Sequence, residues 1–255
     1  MKITRAVVPS LFTVLNIFCG FRAIVETAQG EYILASWFIV MAALFDTFDG
    51  LMARITKSYS DFGVEFDSLS DVVSFGVAPS FLVYGVHLHK LEGLGMIISA
   101  MPMVFGALRL ARFNAQLVGY DKDFFKGLPI PAAAVTICSF IQTFYREGVG
   151  IQGIEASILA PMIVGISFLM VSTLKYDNVP KFTKHGIKQH PLRFTIGVAG
   201  LTAMLITQGR AIFPFFVFYA ATGPLRYIVH FIQHALHPVQ REEGEQDTEV
   251  TGIDV

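Results

Sequence analysis

The chain has 255 residues, 53% of them hydrophobic and only 15% charged, with a formal net charge of -1. A soluble domain carries about 25% charged residues, so an apolar excess gathered into long blocks argues against an ordinary soluble fold and for membrane spans. The charge balance leaves no basic excess for holding nucleic acid.

A spanning helix needs about 20 mostly apolar residues. Taken in chain order, the candidate spans are 8–28, 32–54, 71–90, 94–113, 128–146, 155–174, 193–209 and 211–233. Lys2 and Arg5 precede the first of these, as in a signal peptide. No small-residue cleavage site follows before Arg22, so this run reads as a retained helix. Cys19 and Cys138 both lie in apolar stretches and read as buried thiols. The expected fold class is all-α, a polytopic membrane helix bundle.

Orientation follows from Lys and Arg. With both termini in the cytoplasm, that side collects Lys2, Arg5, Arg54, Lys57, Arg109, Arg112, Lys122, Lys126 and the cluster from Lys175 to Arg193. The opposite side keeps Lys90, Arg146 and Arg210. The residues from 236 to 255 form a polar, acidic tail.

The end of the second span reads Asp46-Thr47-Phe48-Asp49-Gly50-Leu51-Met52-Ala53-Arg54. On a helix, Asp46, Asp49, Gly50 and Ala53 share one face. Two carboxylates thus stand beside residues small enough to let a ligand or another helix approach the backbone. After a short polar link come Gly63, Asp67 and Asp71, the two acids again on one face at the start of the next span. Asp46 lies about 12 Å along the helix from Arg54, below the headgroup surface. A carboxylate at such depth costs about 2.5–3.5 kcal/mol, and four together repel one another. A hard divalent cation removes both penalties. The plainer reading makes them solvated loop acids or partners of Arg54 and Lys57.

The run Asp46-x2-Asp49-Gly50-x2-Ala53-Arg54-x8-Gly63-x3-Asp67-x3-Asp71 resembles the signature of the CDP-alcohol phosphatidyltransferase family at every position. The stretches Ser68 to Pro79, Arg109 to Asn114 and Gly127 to Ala134 resemble its serine-accepting branch. The resemblance implies a six-helix membrane core over 1–175, usually in a homodimer, with the site facing the cytoplasm. Two further transmembrane helices would occupy 176–235, and the tail 236–255.

It further implies transfer of a phosphatidyl group from CDP-diacylglycerol to the hydroxyl of L-serine, with CMP as product. Asp46, Asp49, Asp67 and Asp71 would hold Mg2+ or Mn2+, and Asp71 would be the catalytic base, a metal ligand, or both. Gly50, Ala53, Arg54 and Gly63 would face the CDP-lipid. Arg54 also suits a membrane-edge anchor, and Gly63 a turn between helices. Thr13 and Asn16, in the first span, either face the same cavity and contact the CDP-lipid or join helices. Arg109 and Arg112 lie three residues apart on one face, and a forked guanidinium suits the serine carboxylate; headgroup anchoring is the alternative. Ser74, on the face of Asp67, either contacts serine or packs between helices. His87 and His89 read as residues of the far interface.

Other readings are glycerol 3-phosphate or inositol as the acceptor, an intramembrane prenyltransferase, or a divalent cation transporter. Prenyltransferase aspartate pairs lack the Gly-x2-Ala-Arg continuation. A transporter places ionisable groups near the midplane between two related halves, whereas these acids lie toward one side and no repeat is visible.

Overall fold

The computed structural model of the chain describes residues 7–56, 60–116, 125–176 and 212–236. Helix α1 (Val7–Ala28) ends at a turn where Gly30 takes a φ of 86°, a left-handed conformation that favours glycine. Helix α2 (Tyr32–Thr56) returns along α1, and the two pack closely.

Ser60 then caps helix α3 (Asp61–Asp71), its hydroxyl accepting from the Gly63 amide at 3.0 Å. The chain continues through a π-helical turn (Val72–Val77) into α4 (Ala78–Val86). One helical rod therefore runs from Asp61 to Val86 in place of the expected 71–90. Its start lies ten residues earlier because a polar cap, not hydropathy, begins it. Its end comes at His87, followed by a 3-10 turn at Leu88–Leu91.

Helix α5 (Glu92–Gln116) contains Pro102, which has no amide hydrogen to give the helix ladder. Next to it, the Met103 amide donates to Ser80 Oγ on α4 at 3.1 Å, which joins the two helices at the irregularity. A two-residue antiparallel pairing of β1 (Phe125–Lys126) with β2 (Lys175–Tyr176) brackets α6 (Ile130–Phe144) and α7 (Ile154–Val171). Helix α8 (Ile212–Leu236) occupies the expected span 211–233. The expected span 193–209 and nearly all of the tail lie outside the described residues. The fold is an all-α polytopic bundle, and β1–β2 is the one strand pairing among the described residues.

Among the described residues, six helical stretches are long and apolar enough to cross a membrane. Helix α6 is not one of them. Its 15 residues rise about 22 Å, and the run from Ala132 to Ile141 is buried throughout. It touches α2, α4, α5, α7, α8 and the π turn. The expected span 128–146 holds this 15-residue helix, enclosed by protein, which explains its apolar surface on every side.

Candidate active site

Four carboxylates come to one end of the bundle. Asp46 and Asp49 lie near the C-terminal end of α2, Asp67 and Asp71 in the last two turns of α3. One oxygen from each of Asp46, Asp67 and Asp71 can be chosen so that all three lie within 4.8 Å of one another. Asp49 is outside this tightest trio but close enough to Asp46 and Asp67 to repel both.

Helix α1 aligns the two acidic helices. Thr13 Oγ1 donates to Asp49 Oδ2 at 2.6 Å, and Asn16 Nδ2 donates to Asp71 Oδ1 at 3.1 Å. The same turns of α1 accept in the other direction. Ser70 Oγ donates to the Thr13 carbonyl at 3.2 Å, and Ser74 Oγ to the Asn16 carbonyl at 2.9 Å. Further along that face, Gly20 admits Ser74 so closely that any Cβ at Gly20 would collide with it. A small residue is required where two helices approach this near.

The π turn begins directly after Asp71. Such a turn fits an extra residue into the helix, so the segments on its two sides are rotated relative to each other. Asp67 and Asp71 are thereby set in one frame while α4 packs in another. Gly76, inside the turn, sits where a Cβ would come within 3.3 Å of Met103 Cα, so α5 also closes on this irregularity.

The carboxylate geometry fits a divalent cation. Asp49 Oδ1 and Asp67 Oδ1 are buried and have no hydrogen-bond partner. Buried carboxylate oxygens left unsatisfied are costly, and converging hard oxygen donors are what Mg2+ or Mn2+ takes.

The other predicted residues fall in different places. Arg54 is exposed, and its Nε donates to the Gly50 carbonyl at 2.9 Å. A Cβ on Gly50 would meet only Arg54 Nη2, at 3.6 Å, so the surface over Gly50 is open to a ligand. Ala53 is half-buried. Gly63 belongs to the first turn of α3, where its amide binds the Ser60 cap. Arg109, near the end of α5, is buried and interacts electrostatically with Asp71. Arg112 Nη1 donates to the Val171 carbonyl at 2.9 Å and Nη2 to that of Ser172 at 3.4 Å, satisfying acceptors at the end of α7. Ser74 is fully buried, with its hydroxyl on α1. His87 and His89 sit at the opposite end of the α3–α4 rod.

Sequence reasoning did not single out Asn114, whose Nδ2 donates to Ser68 Oγ at 3.0 Å and Glu65 Oε2 at 3.4 Å. It ties α5 to the acidic helix, and its signal was the polar run that also holds Arg109 and Arg112.

A membrane helix bundle whose carboxylates converge from the end of one helix and the start of the next defines a class, and the chain belongs to the CDP-alcohol phosphatidyltransferase family, whose sequence model matches residues 6–170. Within it, the chain is similar to the CDP-diacylglycerol–serine O-phosphatidyltransferase of Helicobacter pylori strain J99, 36% identical over 222 residues, 86% of this chain and 90% of that protein. It is similar to the protein of the same name from Bacillus subtilis, 36% identical over 70% of this chain and 92% of that one. The archaetidylserine synthase of Methanothermobacter thermautotrophicus is 38% identical over 70% of this chain and 73% of its own length. The chain is an integral membrane enzyme, and α8 lies beyond the family match.

Proposed function

We propose that the chain transfers the phosphatidyl group of CDP-diacylglycerol to the hydroxyl of L-serine and releases CMP. The observation that carries this reading is the convergence of Asp46, Asp67 and Asp71, beside Asp49, within a family signature shared with relatives named for serine transfer. A divalent cation held by Asp46, Asp67 and Asp71, with Asp49 beside them, would supply charge neutralisation for the diphosphate and the departing CMP. Mg2+ and Mn2+ both suit an all-carboxylate set.

The chain's own residues do the rest. Gly50 and Ala53 leave room on α2 for the nucleotide, Arg54 at the rim neutralises phosphate, and Gly63 lets α3 begin close by. Serine Oγ attacks the phosphorus that bears the diacylglycerol, and the bond from that phosphorus to the CMP oxygen breaks. Asp71 takes the serine proton, since a neutral hydroxyl is a weak nucleophile. Asn16 holds Asp71 in place through Oδ1, which leaves Oδ2 for that proton or for the cation. Thr13 acts likewise on Asp49. Arg109, buried next to Asp71, receives the serine carboxylate, while Arg112 secures the end of α7. The family core spans 1–175, followed by the two further helices within 176–235. Both termini and the site face the cytoplasm, and the working unit is a homodimer.

Purified protein with CDP-diacylglycerol, Mg2+ or Mn2+, and either serine or glycerol 3-phosphate tests the reading by product identity. Phosphatidylserine and CMP should form only with serine. CMP release with glycerol 3-phosphate alone would replace the acceptor, and ion uptake into proteoliposomes without CMP would replace the chemistry. Chemical cross-linking in membranes tests the dimer.

A further inference from the structure

The acids of the site are not all held alike. Thr13 donates to Asp49 and Asn16 to Asp71, so each of those carboxylates has a side-chain support on α1. Asp67 Oδ1 is buried without a hydrogen-bond partner, so the seating of α3 itself governs where it lies. That seating is fixed from two flanks. At about 100° per residue, Ser70 falls roughly 60° to one side of Asp67, and Ser68 and Glu65 roughly 100–160° to the other. On the first flank, Ser70 Oγ donates to the Thr13 carbonyl of α1 at 3.2 Å.

On the second flank the hold comes from α5. Asn114 Nδ2 donates to Ser68 Oγ at 3.0 Å and to Glu65 Oε2 at 3.4 Å, and Ser68 Oγ donates to Asn114 Oδ1 at 3.4 Å. Both polar ends of the Asn114 amide therefore close on the residue that follows Asp67. General packing does not do this work. Helix α5 packs along the π turn and α4, but among the described residues it barely touches α3. The bridge is also neutral. A lysine or arginine in the same place would put a positive charge beside the carboxylates and compete with a cation.

We propose that Asn114 is a positioning residue for the cation site: by holding Ser68 it sets where Asp67 stands relative to Asp46 and Asp71, and so how tightly a divalent cation binds. This rests on the reading of the carboxylates as a cation site given above. Partners behind the ligands tune metal affinity, and this one acts through the backbone of α3, next to the ligand.

The test is Mn2+ binding to the purified protein in detergent, without substrates, read by loss of the free-ion electron paramagnetic resonance signal. Asn114→Ala should raise the Mn2+ dissociation constant about fivefold. Ser68→Ala should do the same, and it decides the matter if Asn114→Ala does not fold. Ser68→Thr, which keeps the hydroxyl, should stay within about twofold of wild type. The double variant Asn114→Ala with Ser68→Ala should bind no more weakly than either single variant, because one bridge is lost in all three. Ser80→Ala removes the acceptor of the Met103 amide and loosens α4 from α5 away from the acids. It should leave Mn2+ binding within about twofold of wild type. Unchanged binding in Asn114→Ala and Ser68→Ala, a Ser68→Thr variant as weak as Ser68→Ala, additive losses in the double variant, or an equal loss in Ser80→Ala would overturn the proposal. A wild-type protein that takes up no Mn2+ would overturn the cation reading as well. A wild type that binds Mn2+, with unaffected variants, would overturn this inference alone.

Discussion

Asp71 stands under two competing demands. A general base must keep enough basicity to take a hydroxyl proton, and a cation bound to the same carboxylate lowers that basicity. Its two oxygens offer a division of labour, because Asn16 occupies Oδ1 and fixes where Oδ2 points. Asp71→Asn should reduce turnover at least about a hundredfold while leaving CDP-lipid binding largely intact, as read by isothermal titration in detergent. Equal loss of both would make Asp71 chiefly a metal ligand. Asn16→Ala removes one hydrogen bond to a charged group, and kcat should fall about tenfold with the protein still folded. An unchanged kcat would show that α3 alone orients Asp71. At this scale the sequence was informative about the acids, since four aspartates at helical spacing in apolar surroundings have few other uses. It did not distinguish Asn16 that touches substrate from Asn16 that touches Asp71, because the answer depends on which face of α1 meets α3.

At the scale of elements, the close crossing of α1 over the start of the π turn governs the site. Gly20 and Ser74 set how near the two helices come, and that spacing delivers Thr13 and Asn16 to their carboxylates. Gly20→Leu overpacks this crossing and should cost about 1–3 kcal/mol, read as a lower thermal midpoint in detergent. It should also lower activity, since displacing α1 releases Asp49 and Asp71 together. A stable variant with full activity would mean that the carboxylates keep their places without α1. Long apolar blocks were legible as helices because hydropathy records burial in lipid or protein alike. For the same reason hydropathy could not show that α6 is enclosed by other helices and not by lipid. It also missed the first ten residues of the α3–α4 rod, which a serine cap and backbone bonding begin among polar side chains. The π turn has no local sequence signature, since it arises where packing on α1 and α5 outweighs ideal α-helical bonding.

For the molecule as a whole, the acidic end behaves as one electrostatic unit. Asp46, Asp49, Asp67 and Asp71 repel one another across two helices, so a divalent cation should stabilise the fold as well as support turnover. Treatment with EDTA should abolish CMP release and lower the thermal midpoint by a few degrees, and added Mg2+ or Mn2+ should restore both. Full activity in excess chelator would remove the cation from the proposal. Asp46→Asn should raise the metal concentration needed for half-maximal activity.

Membrane residence and the chemical family were determined by the sequence alone, because both rest on residue type and spacing: apolar blocks of bilayer length, and carboxylates repeated at a helical period. Which carboxylates form the tightest group and which residues align them were decided only by tertiary structure. Those relations join residues as far apart as Asn16 and Asp71, and depend on how near and at what rotation the helices pack.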